Sequence, residues 1–206
     1  MAAEDSHTPR KRIAQRIDSF REYERITGFA QIARRALANN SFDGVLTMVG
    51  IVMGNLLGGV QDHLIVIRVG IATAISIGIS GLWGAYLAES AERGRDLDEL
   101  ERLALTQLDQ TKIGRAAKIA VIVVSLVDGL SPFVSSTFVL LPFFLAPLIG
   151  NITLCYYISL GLALISLFGL GMFLGHISKR SMVRYGLRTV IAGVVAMGIT
   201  TILPLD

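Results

Sequence analysis

The sequence predicts an all-α membrane protein that crosses the bilayer five times, and two observations predict it. Hydrophobic residues fill 52% of the 206 positions and charged residues only 17%, with a mean hydropathy of +0.61. Such values are high for a soluble globule and ordinary for a polytopic membrane protein. The basic residues cluster at Arg10–Arg35, Arg93–Lys118 and Lys179–Arg188, with long apolar runs between the clusters. Backbone groups in hydrocarbon must be satisfied within their own segment, so each apolar run has to be a helix.

The first span is expected from about Ala36 to Val60 and the second from about Leu64 to Ala88. The third starts near Ile119 and reaches about Leu140, the fourth covers about Ile152–Gly175, and the fifth covers about Val190–Leu203. Each approaches the roughly 20 residues that cross a hydrocarbon core about 30 Å thick, the fifth being shortest. The run from Pro132 to Pro147 is too long and apolar for an ordinary loop, and a kinked helix end or a short re-entrant turn fits it. Before the first span, Lys11–Ala36 carries Ile13, Ile17, Phe20 and Ile26 among many charges. A helix there either lies along the inner headgroup plane or packs on the cytoplasmic linker. The linker Glu89–Gln110, charged and leucine-rich, prolongs the second span and then turns back.

Cytoplasmic loops carry the excess of Lys and Arg, so the three basic clusters face the cytoplasm and the N-terminus lies inside. An odd number of spans then puts the C-terminus, Pro204-Leu205-Asp206, outside. The expected organisation is a cytoplasmic segment over 1–35 with an amphipathic helix, then a five-span domain over 36–206 with an acidic helical linker at 89–112. The N-terminus lacks the apolar core of a secretory signal peptide, and the expected location is the cell membrane of a prokaryote. Cys155, the only cysteine, excludes an intrachain disulfide and the usual thiolate metal motifs. No soluble basic domain is left to bind nucleic acid, despite a pI of about 9.2. No nucleophile–base pair, His/Cys cluster or phosphate loop points to an enzyme or to a resident cofactor.

Chemistry concentrates on two aspartates. Asp43-Gly44 falls in the first span and Asp128-Gly129 in the third. A carboxylate at the centre of a membrane helix costs about 2.5–3.5 kcal/mol on insertion scales, so it is seldom there without a partner or a task. Asp43 is eight residues past Arg35, about 12 Å into the core if the helix is continuous, although Asn39, Asn40 and Ser41 could instead start the helix. Asp128 is ten residues past Lys118, about 15 Å in. Gly50, Gly54 and Gly58 form a GxxxGxxxG ridge that shares its stripe with Asp43 and turns the acid toward a protein interface. Ser76, Ser80, Gly84 and Ala88 form a small-residue stripe on the second span, with Thr73 beside it; Asp128, Pro132, Ser135 and Ser136 form a narrow polar face on the third. The interior thus offers oxygen donors and few nitrogens. Met48 and Met53 are read as packing, and His176 as an interfacial histidine rather than a proton relay. The recurring Asp-Gly raises an internal parallel repeat as one possibility.

Glu89, Glu92, Asp96 and Glu99 fall at i, i+3, i+7 and i+10 on one side of the linker helix. They could gather a divalent cation, or form a solvated face balanced by Arg93, Arg95 and Arg102.

Together these residues resemble the vacuolar iron transporter family. Arg35–Gly50 with Asp43-Gly44 is similar to that family's first span, and Gly81-Leu82-Trp83-Gly84-Ala85-Tyr86-Leu87-Ala88 to its exit into an acidic cytoplasmic helix. Gly129-Leu130-Ser131-Pro132 with Leu141-Pro142-Phe143-Phe144 resembles its proline-containing third span, and Gly175-His176 with Arg188-Thr189-Val190-Ile191-Ala192-Gly193 its last two. The resemblance implies a homodimer with a path between subunits, exporting ferrous or manganous ion from the cytoplasm against protons, with Asp43 as a metal and proton site. It also implies departures. The family's second-span glutamate and methionine fall near Thr73 and Gly81, its long acidic domain is reduced to the short linker, and Asp128 stands where a glycine is usual. The expected function is therefore divalent-metal transport, with Asp43 and Asp128 binding the ion, protons exchanging for it, and Glu89, Glu92, Asp96 and Glu99 gathering it. A non-transporting scaffold that kept the fold, or a carrier of another cation or small solute, remains open.

Overall fold

A computed structural model describes residues 9–202, with side chains described from Ile17 onward. The described residues form helices and no strands: α1 (Pro9–Thr27), α2 (Phe29–Leu57), α3 (His63–Ala104), α4 (Lys112–Phe144), α5 (Ala146–Ile149), α6 (Ile152–Ile177) and α7 (Met182–Ile202). Five segments are long and apolar enough to cross a membrane: α2, α3, α4 together with α5, α6 and α7. The expected five-span all-α fold is therefore present. The C-terminal Pro204-Leu205-Asp206, Leu203 of the fifth span and the side chain of Ile13 lie outside the described residues.

Several boundaries differ from the hydropathy reading, each for a local reason. The expected helix Lys11–Ala36 is broken at Gly28, whose φ of 61° is left-handed. The span helix begins at Phe29, so Asn39, Asn40 and Ser41 lie inside it rather than starting it. Asp43 therefore does follow Arg35 along continuous helix. The helix of the third span begins at Lys112 and that of the fifth at Met182, because charged first turns lower hydropathy without stopping a helix. The run Pro132–Pro147 contains no re-entrant loop: α4 continues through Pro132 and Pro142, and a single short helix follows it. Polar caps start two spans. Asp62 accepts from Leu64 N at 2.8 Å to open α3, and Asn151 accepts from Leu154 N at 3.2 Å to open α6.

α4 is central. Both α2 and α3 pack chiefly on it, α6 packs on α2 and α4, and α7 lies mainly against α6. The core joins Val45, Met48, Val49 and Val52 of α2 to Val139, Leu140 and Phe143 of α4 and to Tyr156, Leu160 and Leu167 of α6. Met48 and Met53 are buried in it, as packing residues. Serine hydroxyls add the interhelical bonds that replace hydrophobic driving force in lipid. Ser136 donates to Gly44 O at 3.0 Å and Ser159 to Val139 O at 2.7 Å.

The glycines of the two Asp-Gly pairs are sites of close backbone approach, as Gly171 is between α6 and α7. A side-chain carbon at Gly44 would stand 2.6 Å from Pro132 O and 2.8 Å from Pro132 Cα. One at Gly129 would stand 2.6 Å from Gly78 O. The ridge expected to make such contacts does not make them within this chain. Gly50 and Gly54 have nothing within 4 Å of where a side chain would begin, and both are exposed.

Candidate cation cleft

Because Gly44 seats α2 against α4 and Gly129 seats α4 against α3, the two preceding aspartates come to one place. Between α2 and α3, which touch each other less than each touches α4, lies a cleft of about 380 Å³. Asn40 and Asp43 line it from α2, Ser76, Ser80 and Gly81 from α3, and Asp128 and Pro132 from α4. The lining holds two carboxylates and no Lys or Arg.

The two acids are held differently. Asn40 Nδ2 donates to Asp128 Oδ1 at 2.5 Å, across the α2–α4 boundary. Since the amide nitrogen is committed to this bond, the amide oxygen of Asn40 stays available as an uncharged acceptor or cation ligand. The Asp43 carboxylate is exposed and has no protein partner among the described residues. Ser76 donates to Ala72 O at 3.0 Å within its own helix, which leaves its oxygen lone pairs available. Thr73 donates to Val69 O at 2.9 Å and is not part of the lining. Ser135 and Ser136, assigned with Asp128 to one polar face, serve the α2–α4 contact: Ser136 bonds Gly44 O and Ser135 sits beside Gly44.

The linker acids are arranged otherwise. Glu89 receives Arg93 Nε at 2.9 Å in an ion pair whose side chains are both only 15% exposed. Asp96 lies 3.9 Å from Arg95 at the surface, while Glu92 and Glu99 are exposed. Among the described residues no three His, Cys, Asp or Glu side chains converge as a metal cluster. His176 is exposed at the end of α6.

Asn40 is the cleft residue that sequence reasoning missed. Its signal was its position three residues before Asp43, on the same helical face. Arg68 was also passed over. It is exposed on α3, nearly opposite the buried Val66, Gly70 and Ala74, and six residues past the cap Asp62, within reach of the interface by snorkelling.

Comparison with known proteins bears on this arrangement. The model of a family described as the VIT family matches residues 99–204. An uncharacterized protein of Methanocaldococcus jannaschii is 31% identical over 168 residues, covering 80% of this chain and 84% of that protein. No solved structure matches significantly.

Proposed function

The chain belongs to the VIT family, a family of membrane metal ion transporters, and from that premise we propose that it carries a divalent transition metal ion, Fe²⁺ or Mn²⁺, through the cleft between α2 and α3. One observation carries the reading: two carboxylates face one cleft that no basic side chain lines. A dication in that cleft would balance their charge, and protons could replace it when it leaves, because neighbouring carboxylates in low dielectric disfavour ionising together. Export from the cytoplasm, with the basic clusters inside, is the direction this reading adopts. A homodimer fits the same reading. Asp43, Gly50 and Gly54 form one exposed stripe of α2, and a second copy meeting that stripe would enclose the cleft. Glu92 and Glu99 remain candidates for gathering ions at the basic end.

Reconstituted protein is expected to move Mn²⁺ into metal-free proteoliposomes, and Asp43→Asn to abolish that flux. Retained flux in the variant refutes the assignment. A second reading is favoured by the Asn40–Asp128 bond, which ties α2 to α4: a scaffold in which the acids only bridge helices. It predicts no thermal stabilisation by Fe²⁺, Mn²⁺, Co²⁺, Mg²⁺ or Ca²⁺, whereas specific binding to the native state raises the melting temperature.

A further inference from the structure

Pro132 lies inside α4, one turn after Asp128. Proline has no N–H, so the helical bond that residue 132 would give to the carbonyl of residue 128 cannot form. The nearby hydroxyls do not replace it, since Ser131 donates to Val127 O and Ser135 to Pro132 O. The neighbour facing this oxygen is Gly81 on α3. A side-chain carbon there would stand 2.9 Å from Asp128 O, so any larger residue would crowd the oxygen, and glycine keeps that space free. Asp128, Pro132 and Gly81 all line the cleft that holds Asp43. A backbone carbonyl without its partner is costly at membrane depth and is tolerated where it borders a polar cavity.

We propose that the main-chain oxygen of Asp128, deprived of its helical partner by Pro132 and not crowded by a side chain at Gly81, is itself a ligand for the transported cation. This rests on the functional reading above and specifies its ligand chemistry. The donor set becomes two carboxylates, a peptide carbonyl, the Asn40 amide oxygen and the Ser76 hydroxyl oxygen. Sulfur is absent from it: Met48, Met53 and Cys155 are buried in the core instead. Oxygen-only sets suit Mn²⁺, Mg²⁺ and Ca²⁺, whereas thiolate and thioether donors select softer ions. The cargo class is therefore an oxygen-preferring dication, with Mn²⁺ its transition-metal member. Freed carbonyls of interrupted helices serve the same purpose in other transporters.

The test is Mn²⁺ binding to detergent-solubilised full-length protein, read as loss of the free-ion electron paramagnetic resonance signal. Pro132→Ala restores the N–H and with it the helical bond to Asp128 O. It is expected to weaken Mn²⁺ binding about 10-fold or more, the scale at which metal sites respond to lost supporting interactions, without lowering the melting temperature. Pro132→Gly, which restores the N–H with no side chain beside Gly44, is expected to weaken binding likewise and guards against misfolding of the alanine variant. Pro142→Ala frees no cleft oxygen to begin with and is expected to bind as the wild type does. Equal Mn²⁺ affinity in the wild type and both Pro132 variants overturns the proposal, as does an equal loss in Pro142→Ala. Absence of Mn²⁺ binding in the wild type, or undiminished binding in Asp43→Asn, removes the functional reading and this inference with it.

Discussion

At the residue scale, each Asp-Gly pair divides its labour. The aspartate faces the cleft while the glycine next to it lets two helix backbones meet, Gly44 on Pro132 and Gly129 on Gly78. Adjacent helical residues point about 100° apart, so one dipeptide serves a packing face and a polar face together. That is a physical reason for the pair to recur, and it requires no internal repeat. Asn40 belongs to the same device, because its amide holds the Asp128 carboxylate at 2.5 Å. A hydrogen bond to a charged group contributes about 1.5–3 kcal/mol, and this one is only half-buried, so the low end applies. Asn40→Ala is expected to lower the melting temperature in detergent measurably. Asp128→Asn, which keeps an oxygen acceptor for the amide, is expected to lower it less while impairing metal binding. The reverse order would mean that the bond does not hold α2 to α4.

At the element scale, the helices end where backbone chemistry requires. Asp62 and Asn151 cap α3 and α6 with side-chain acceptors. Gly28 separates α1 from α2 by adopting φ of 61°, with nothing within 4 Å of a would-be side chain. A substitution there meets no steric clash, so its cost is conformational alone. Gly28→Ala is expected to destabilise the α1–α2 junction by about 1–2 kcal/mol, the cost of left-handed backbone for a residue with a side chain. Faster amide hydrogen exchange across Tyr23–Phe29 in the variant would report it, and unchanged exchange would argue against the hinge. At the same junction Phe20 meets Phe29 edge-on with ring centres 5.0 Å apart, and Glu22 pairs with Lys112 at 2.7 Å. α1 is therefore docked on the start of α4 even though Ile17, Phe20 and Ile26 remain exposed to whatever lies beneath them. Both alternatives expected of α1, packing on the bundle and presenting an apolar face to headgroups, are compatible with that placement.

At the scale of the whole molecule, a bundle centred on α4 leaves two features of α2 facing outward: Asp43 and the stretch with Gly50 and Gly54. If this surface meets a second copy, a large side chain on it must hinder association and leave the single-chain fold intact. Gly54→Leu is expected to shift the detergent-solubilised protein from dimer toward monomer by light scattering, with its melting temperature within a few degrees of the wild type. A variant that stays fully dimeric would place the interface elsewhere. The five spans and their order were legible in the sequence, because burial in lipid imposes a composition on each crossing segment, and so was the continuous helix from Arg35 to Asp43 on which the depth reading rests. Helix starts at Lys112 and Met182 were not, because hydropathy reports where lipid is, and a helix continues beyond it. Tertiary structure alone decided that α2 and α3 flank α4 with a cleft between them, that Asp43 and Asp128 share it, and that within the chain α4 meets α2 at Gly44 and α3 at Gly129, while Gly50 and Gly54 meet none of its helices. Helical periodicity assigns a residue to a face, but which face meets which neighbour depends on the backbone surfaces of separate helices fitting together, and that fit joins positions as far apart in the chain as Asn40 and Asp128.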